Sequence, residues 1–185
     1  MTQLKISDIM TQLKISDIVK KLPFTTHQVN LWWNIGSLHK RDAVIDYDVY
    51  LPSKDMNLQR PLCWTLEQKQ QLILSIVKRI YIPKLCVLID QTDSNSPKYQ
   101  IIDGKQRLST MLEFLNNGFP LPSGHYFKDC EEDLQMKINS YSPSCEVSYF
   151  YDKEPISDEA KIQWFEQINF AGTPQDAAHL EKLKA

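Results

Sequence analysis

Between residues 98 and 115 the chain changes its apolar period without a linker. Lys98–Ile102 (KYQII) has strand character. Asp103-Gly104 interrupts it, and Leu108, Met111, Leu112 and Leu115 then recur at i, i+3, i+4 and i+7, the spacing of one helix face. Gly118 is placed as the residue just past the helix end. Upstream, Lys84–Asp90 (KLCVLID) is a short apolar run that reads as a buried strand. The polar Gln91–Pro97 that follows is a turn, so the two strands form a hairpin. Strand, turn, strand, glycine turn and helix follow one another, and the chain must carry both kinds of structure.

A second helix is well signalled. Thr65 and Gln68 make the T-x-x-Q capping box. Leu66, Leu72, Ile73, Ile76, Val77 and Ile80 follow at helical spacing, and Pro83 lies just beyond. Further on, Leu134, Met136 and Ile138 mark a short element and Glu146–Tyr151 (EVSYFY) a strand. Ser157 caps a last helix carrying Ile162, Phe165 and Ile168 on one face. Asn169–Pro174 reads as a loop and Gln175–Lys184 as helical again. Alternation at Val29, Leu31, Trp33 and Ile35 indicates an extended segment, and Val44, Tyr47, Val49 and Leu51 have β character. Trp32 and Trp33 are expected in the core or at an interface. Met1–Ile9 (MTQLKISDI) is repeated verbatim at Met10–Ile18; two copies are too few for a solenoid. The expected organisation is a duplicated N-terminal arm or helix over 1–22. A single α+β domain over 23–185 follows it, with a small mixed sheet and flanking helices.

The 185 residues suffice for one domain with its own core, and 42 % hydrophobic with 24 % charged residues is a globular composition, not a disordered one. With 21 basic and 23 acidic residues the net charge is −2, so bulk charge does not draw the chain to nucleic acid. No apolar run approaches the roughly 20 residues of a membrane span. The start does not resemble a signal peptide. A cytoplasmic protein without membrane association is expected. Cys63, Cys86, Cys130 and Cys145 are far apart and form no C-x-x-C pair, which fits reduced thiols. Cys130 and Cys145 with His125 match no zinc spacing, and no metal ligands are assigned.

The junction at Gly104 has the chemistry of an anion site. A helix N-terminus presents unpaired N–H groups and a partial positive charge. Gly104 lets a ligand approach the backbone. Arg107 can grip phosphate with two prongs, Lys105 adds a point charge, and Ser109 and Thr110 offer hydroxyls. Arg107, about 100° round the helix from Leu108, reaches the helix mouth, and its loss is expected to spare the fold. On the residues alone a second account stays open: Asp103 caps the helix, and Gln106 and Arg107 are solvated first-turn residues. A third account is a nuclease. Asp90 followed by Asp103-Gly104-Lys105 mimics the D…[DE]-x-K spacing in which two carboxylates bind Mg²⁺ and the lysine orients water. It requires Asp103 and Lys105 on one extended strand, and Gly104 followed by a helical pattern argues against that.

The segment IIDGKQRLST (Ile101–Thr110) resembles the D-G-Q-Q-R-[LM]-x-T signature of the GmrSD restriction endonuclease N-terminal domain family, a branch of the ParB/sulfiredoxin-like superfamily. Gln59-Arg60-Pro61-Leu62-Cys63-Trp64 resembles that family's Y-Q-R-x-Y-x-W element. Leu72-Ile73-Leu74-Ser75-Ile76 with Ile82-Pro83 resembles its L-I-x-S-I…I-P helix, and Phe165–Pro174 resembles its F-x-x-[IL]-N-x-x-G element. The resemblance runs from about Leu58 to the end. It implies a ParB/sulfiredoxin-like fold that binds, and in catalytic members hydrolyses, a nucleoside triphosphate (NTP) with Mg²⁺. Carried over residue by residue, it implies catalytic roles for Asp103, Gln106 and Arg107. Asp103, Gly104, Gln106, Arg107 and Thr110 carry over directly, and together with the reading of the residues themselves the expected nucleotide-binding set is Gln59, Arg60, Gly104, Lys105, Arg107, Ser109, Thr110 and Asn169. Trp64 is expected as a pocket wall or core residue, and Asn169 and Gly172 as shaping the loop beside the site. Lys105 departs from the usual Gln, Leu62 from an aromatic or apolar position, and Gln175 lies near an expected Leu. Full-length relatives usually continue into an HNH-type nuclease domain, and no such histidine cluster occurs here. Expected partners are therefore an NTP and either DNA or a separate nuclease. The competing function is a non-catalytic sensing or adaptor module of a defence or phage system.

Overall fold

A computed structural model describes residues 27–30, 34–40, 44–90, 97–150 and 156–170. The repeat and arm expected over 1–22, Trp32 and Trp33, and the segment 171–184 with Gly172 and Gln175 lie outside the described residues.

The fold is mixed α+β around a five-stranded sheet of order β1-β7-β5-β6-β2. Its strands are β1 (His27–Asn30), β2 (Ile45–Asp46), β5 (Leu85–Asp90), β6 (Lys98–Asp103) and β7 (Ser144–Phe150). β5 and β6 form the expected antiparallel hairpin. β7 runs parallel to β5 and antiparallel to β1, and β2 runs parallel to β6. A small antiparallel pair, β3 (Tyr50–Leu51) and β4 (Met56–Asn57), stands apart from the sheet. The helices are α1 (Ile35–His39), α2 (Leu66–Lys78), α3 (Lys105–Leu115), α4 (Glu132–Asn139) and α5 (Asp158–Phe170). None of the described helices is long and apolar enough to cross a membrane.

Both faces of the central strands are covered, which is why KLCVLID has no polar alternation. Leu85, Val87 and Ile89 enter one core with Ile73 and Ile76 of α2 and Leu108, Met111 and Phe114 of α3. Cys86 and Leu88 point the other way, into a core with Val49, Leu51 and Leu58 and with Trp164 and Phe165 of α5. Burying each such aliphatic side chain contributes about 1.5–3 kcal/mol.

Several expectations are corrected at element ends. Leu66 and Ile80 are 50 % and 55 % exposed. Leu66 opens the first turn of α2, and Arg79 ends the helix by turning left-handed at φ 57°, so neither Leu66 nor Ile80 joins the buried face formed by Leu72, Ile73 and Ile76. At the end of α3 the left-handed residue is Asn117 (φ 59°), not Gly118. Gly118 donates to the Glu113 carbonyl (2.8 Å) and Asn117 to that of Phe114 (2.9 Å), the Schellman pattern. The expected extended segment contains β1 (His27–Asn30), and Leu31 and Trp33 lie outside the described residues. Asn34 then caps α1 by accepting from the Ser37 N–H (2.9 Å), and Ile35 is helical and buried. Helix α5 continues to Phe170, so Asn169 is helical rather than in a loop. Its amide donates back to the Phe165 carbonyl at 2.7 Å.

Candidate functional site

Gly104 has φ 102° and is the N-cap of α3. A Cβ there would lie 2.4 Å from Leu85 Cδ2, a side-chain methyl, and 3.5 Å from Leu85 Cα, so it is above all the left-handed backbone that requires glycine. No side chain caps α3, and its first turn holds no acidic residue. Its first N–H groups have no partner within the helix.

These N–H groups border a pocket of about 140 Å³, lined by Gln59, Arg60 and Trp64 on one side and by Asp103–Arg107 on the other. That is room for roughly four or five waters. Most of its polar side chains also brace the fold. Arg107 Nη2 donates to Asp103 Oδ2 (2.7 Å) and to the Lys84 carbonyl (3.0 Å), tying the end of β6 to the start of β5. Its Nε is buried without a partner among the described residues. Lys105, only 8 % exposed, pairs with Asp48. Gln106 Oε1 accepts from the N–H groups of Cys63 (3.1 Å) and Trp64 (3.4 Å), while its Nε2 donates to the Pro61 carbonyl (2.9 Å). Gln59 Nε2 donates to the carbonyls of Ile101 (2.9 Å) and Ile102 (2.5 Å). Arg60 differs: it is half-buried and has no ion pair or hydrogen bond among the described residues. Three cations, Arg60, Lys105 and Arg107, meet two carboxylates, Asp48 and Asp103, leaving one net positive charge.

Of the residues named from sequence, the fold brings Gln59, Arg60, Asp103, Gly104, Lys105, Gln106 and Arg107 together, with Trp64 as a wall. Ser109, Thr110 and Asn169 do not line the pocket; Thr110 is 2 % exposed, buried on the core side of α3. The nuclease arrangement is not formed. Asp90 stands opposite Lys98 and Asp103 opposite Cys86, at the two ends of the hairpin, about 13 Å apart at ~3.3 Å per residue. Lys105 is in a helix rather than on the strand with Asp103. The antiparallel register makes this separation unavoidable.

Asp48 and the Lys84 carbonyl were not found from sequence. The β character expected over Val44–Leu51 is broken by a turn at Asp46–Val49, where Asp46 Oδ1 accepts from the N–H groups of Asp48 (3.2 Å) and Val49 (2.9 Å). Nothing local reveals that the turn delivers Asp48 to a lysine 57 residues away. Beside the site, burial above all, then the Asp103 charge, pushes the Cys86 thiol up to about 12, so it is protonated at neutral pH. The hydrogen bond to Glu146 raises the pKa of Lys84, whose backbone carbonyl receives Arg107.

No curated protein and no solved structure matches the chain. The family model of the GmrSD restriction endonuclease N-terminal domain matches residues 44–168, a span that contains every residue lining the pocket, together with Asp48. Spread over two thirds of its length and centred on the β6–Gly104–α3 junction, that match makes this chain a member of the GmrSD restriction endonuclease N-terminal domain family.

Proposed function

We propose that the chain is a nucleotide-binding module of a restriction system and takes an NTP, with Mg²⁺, by its terminal phosphate in the pocket at the N-terminus of α3. The observation that carries this reading is Arg60. A guanidinium uncommitted among the described residues borders a pocket of phosphate-accommodating volume, beside a helix start with no carboxylate of its own. Arginine suits the fork geometry of phosphate, and the free N–H groups of α3 add donors without a counter-charge. Trp64 offers an apolar wall where the ligand leaves the pocket.

For hydrolysis, Asp103 is the only carboxylate among the lining residues, and Arg107 occupies one of its oxygens. Asp103 Oδ1 would orient water while Arg107 steadies the carboxylate and Gln106 holds the facing segment. The second reading, a sensor without turnover, draws support from the same bonds: Gln106 and Arg107 spend their described hydrogen bonds on the fold. Phosphate release separates the two.

The test is thermal shift with ATP, GTP, CTP and UTP, with and without Mg²⁺. A ligand at 100 times its Kd stabilises by about 2.7 kcal/mol, or roughly 5–10 °C for a chain of this size. Arg60→Ala is expected to remove that shift and leave the ligand-free melting temperature within about 2 °C of wild type. Absence of a shift with every nucleotide would refute the reading.

A further inference from the structure

We infer that Asp48 is a resident counter-ion of Lys105, and that phosphate bound in the pocket replaces it. This rests on the phosphate reading above and adds its regulation. Lys105 carries its charge at 8 % exposure, and an ammonium that deep is costly unless paired. The partner comes from the Asp46–Val49 turn, and the pair is asymmetric: the Lys105 side chain is 9 % exposed and that of Asp48 56 %. The carboxylate can therefore swing into water once another anion pairs with Lys105, whereas the ammonium cannot leave.

The backbone beneath Asp48 is fixed. Val49 is fully buried at φ 52°, a left-handed conformation that a β-branched residue adopts only when its surroundings impose it. Here Asp46 Oδ1 holds the N–H groups of Asp48 (3.2 Å) and Val49 (2.9 Å). The carbonyls of Asp48 and Val49 accept from Gln59 (3.1 Å) and Leu58 (3.0 Å). The turn is thus stitched to the strand end that carries Gln59 and Arg60 into the pocket, and only the Asp48 side chain is at liberty to move. A phosphate in the pocket brings more charge and more acceptor oxygens to Lys105 than one carboxylate does. Removing Asp48 then penalises the empty state, where Lys105 loses its partner, more than the occupied state, where phosphate supplies one.

The experiment is calorimetric titration of inorganic tripolyphosphate into wild type and Asp48→Asn. Asp48→Asn is expected to melt several degrees lower when empty, to bind roughly tenfold more tightly, and to recover most of the lost melting temperature at saturation. Binding that is unchanged or weaker in Asp48→Asn, with wild type still binding, overturns the counter-ion role alone. Failure of both proteins to bind overturns the phosphate reading and this inference together. Should Asp48→Asn not fold, nitrogen-15 spectra of the wild-type lysine side chains decide. Saturating tripolyphosphate is expected to shift the Lys105 Nζ resonance, assigned through Lys105→Arg, and to move the Asp48 carboxylate carbon to the position of a free carboxylate. A Lys105 signal that does not respond to bound tripolyphosphate overturns the inference.

Discussion

Helices α2 and α3 begin beside one another, since Gln106 in the first turn of α3 accepts from Trp64, the residue before the α2 cap. Their starts are built in opposite ways. α2 closes its own end. Thr65 accepts from the Gln68 N–H (3.3 Å), Gln68 accepts from the Thr65 N–H (2.9 Å), and Glu67 adds a negative charge in the first turn. α3 has glycine where α2 has threonine, no side-chain cap, and Lys105 and Arg107 where dipole complementarity favours carboxylates. Each start has a glutamine, used differently. Gln68 folds back on its own helix, and Gln106 reaches across to the other one. A helix start that forgoes local capping and accumulates cations is less stable by itself and better disposed to an anion, whereas a self-satisfied start holds the scaffold.

The largest expected effect tests whether the open start depends on Gly104. In Gly104→Ala the methyl group would meet Leu85 Cδ2 at 2.4 Å on a backbone at φ 102°. A left-handed alanine costs about 1–2 kcal/mol, and overpacking adds about 1–3 kcal/mol. A loss of roughly 10 °C in melting temperature is expected, with phosphate binding lost as well. A near-wild-type melting curve would show that the turn tolerates a side chain and that its glycine serves no steric purpose.

Arg107→Ala comes next. Sequence reasoning places Arg107 at the helix mouth, free for ligand. In the fold it clamps Asp103 and the Lys84 carbonyl, so its removal is expected to cost about 2 kcal/mol in the ligand-free protein. That is roughly 4–8 °C, in addition to weaker nucleotide binding. Arg107→Lys is expected to recover only part, since an ammonium lacks the planar fork. An unchanged melting temperature in Arg107→Ala would return Arg107 to the role of a pure ligand group.

What could be read in advance, and what could not, follows the reach of each interaction. The capping box of α2, the β5–β6 hairpin and the glycine junction are settled by residues within a few positions of one another, and all three appear as read. Pairing of β5 with β7 joins segments some sixty positions apart with no local signature. The partners of Lys105 and Gln59 are similarly distant. The family resemblance points to Gln59 as a ligand contact, but its amide holds two carbonyls of β6. Composition identifies which polar side chains cluster at the junction. It does not say which of them the fold has already engaged, and that distinction separates Arg60 from Lys105 and Arg107.

Gln106→Ala probes the bridge between the two starts and has a smaller expected effect on stability. Three hydrogen bonds to the Pro61–Trp64 segment are lost at a partly exposed position, where water takes over much of their value. About 1 kcal/mol is expected. The ligand effect is larger in proportion, because the segment that positions Arg60 and Trp64 loosens. Tripolyphosphate affinity is expected to fall roughly three- to tenfold. Unaltered affinity would mean that the segment holds its place without α3.

The smallest effect is expected at the closed start. Thr65 and Gln68 are both exposed, so on Thr65→Ala water reaches the freed Gln68 N–H, and the loss is that of an ordinary N-cap, about 0.5–1 kcal/mol. This is roughly 1–4 °C. Thr65→Ser keeps the hydroxyl and is expected to stay within about 1 °C of wild type. Thr65 does not itself line the pocket, so tripolyphosphate affinity is expected to be the same in all three proteins. The contrast between the two helix starts depends on that independence. If Thr65→Ala weakened tripolyphosphate binding as much as Gln106→Ala, the closed start would also be holding the Pro61–Trp64 segment in register. The two ends would then act as one device rather than as a scaffold beside a site.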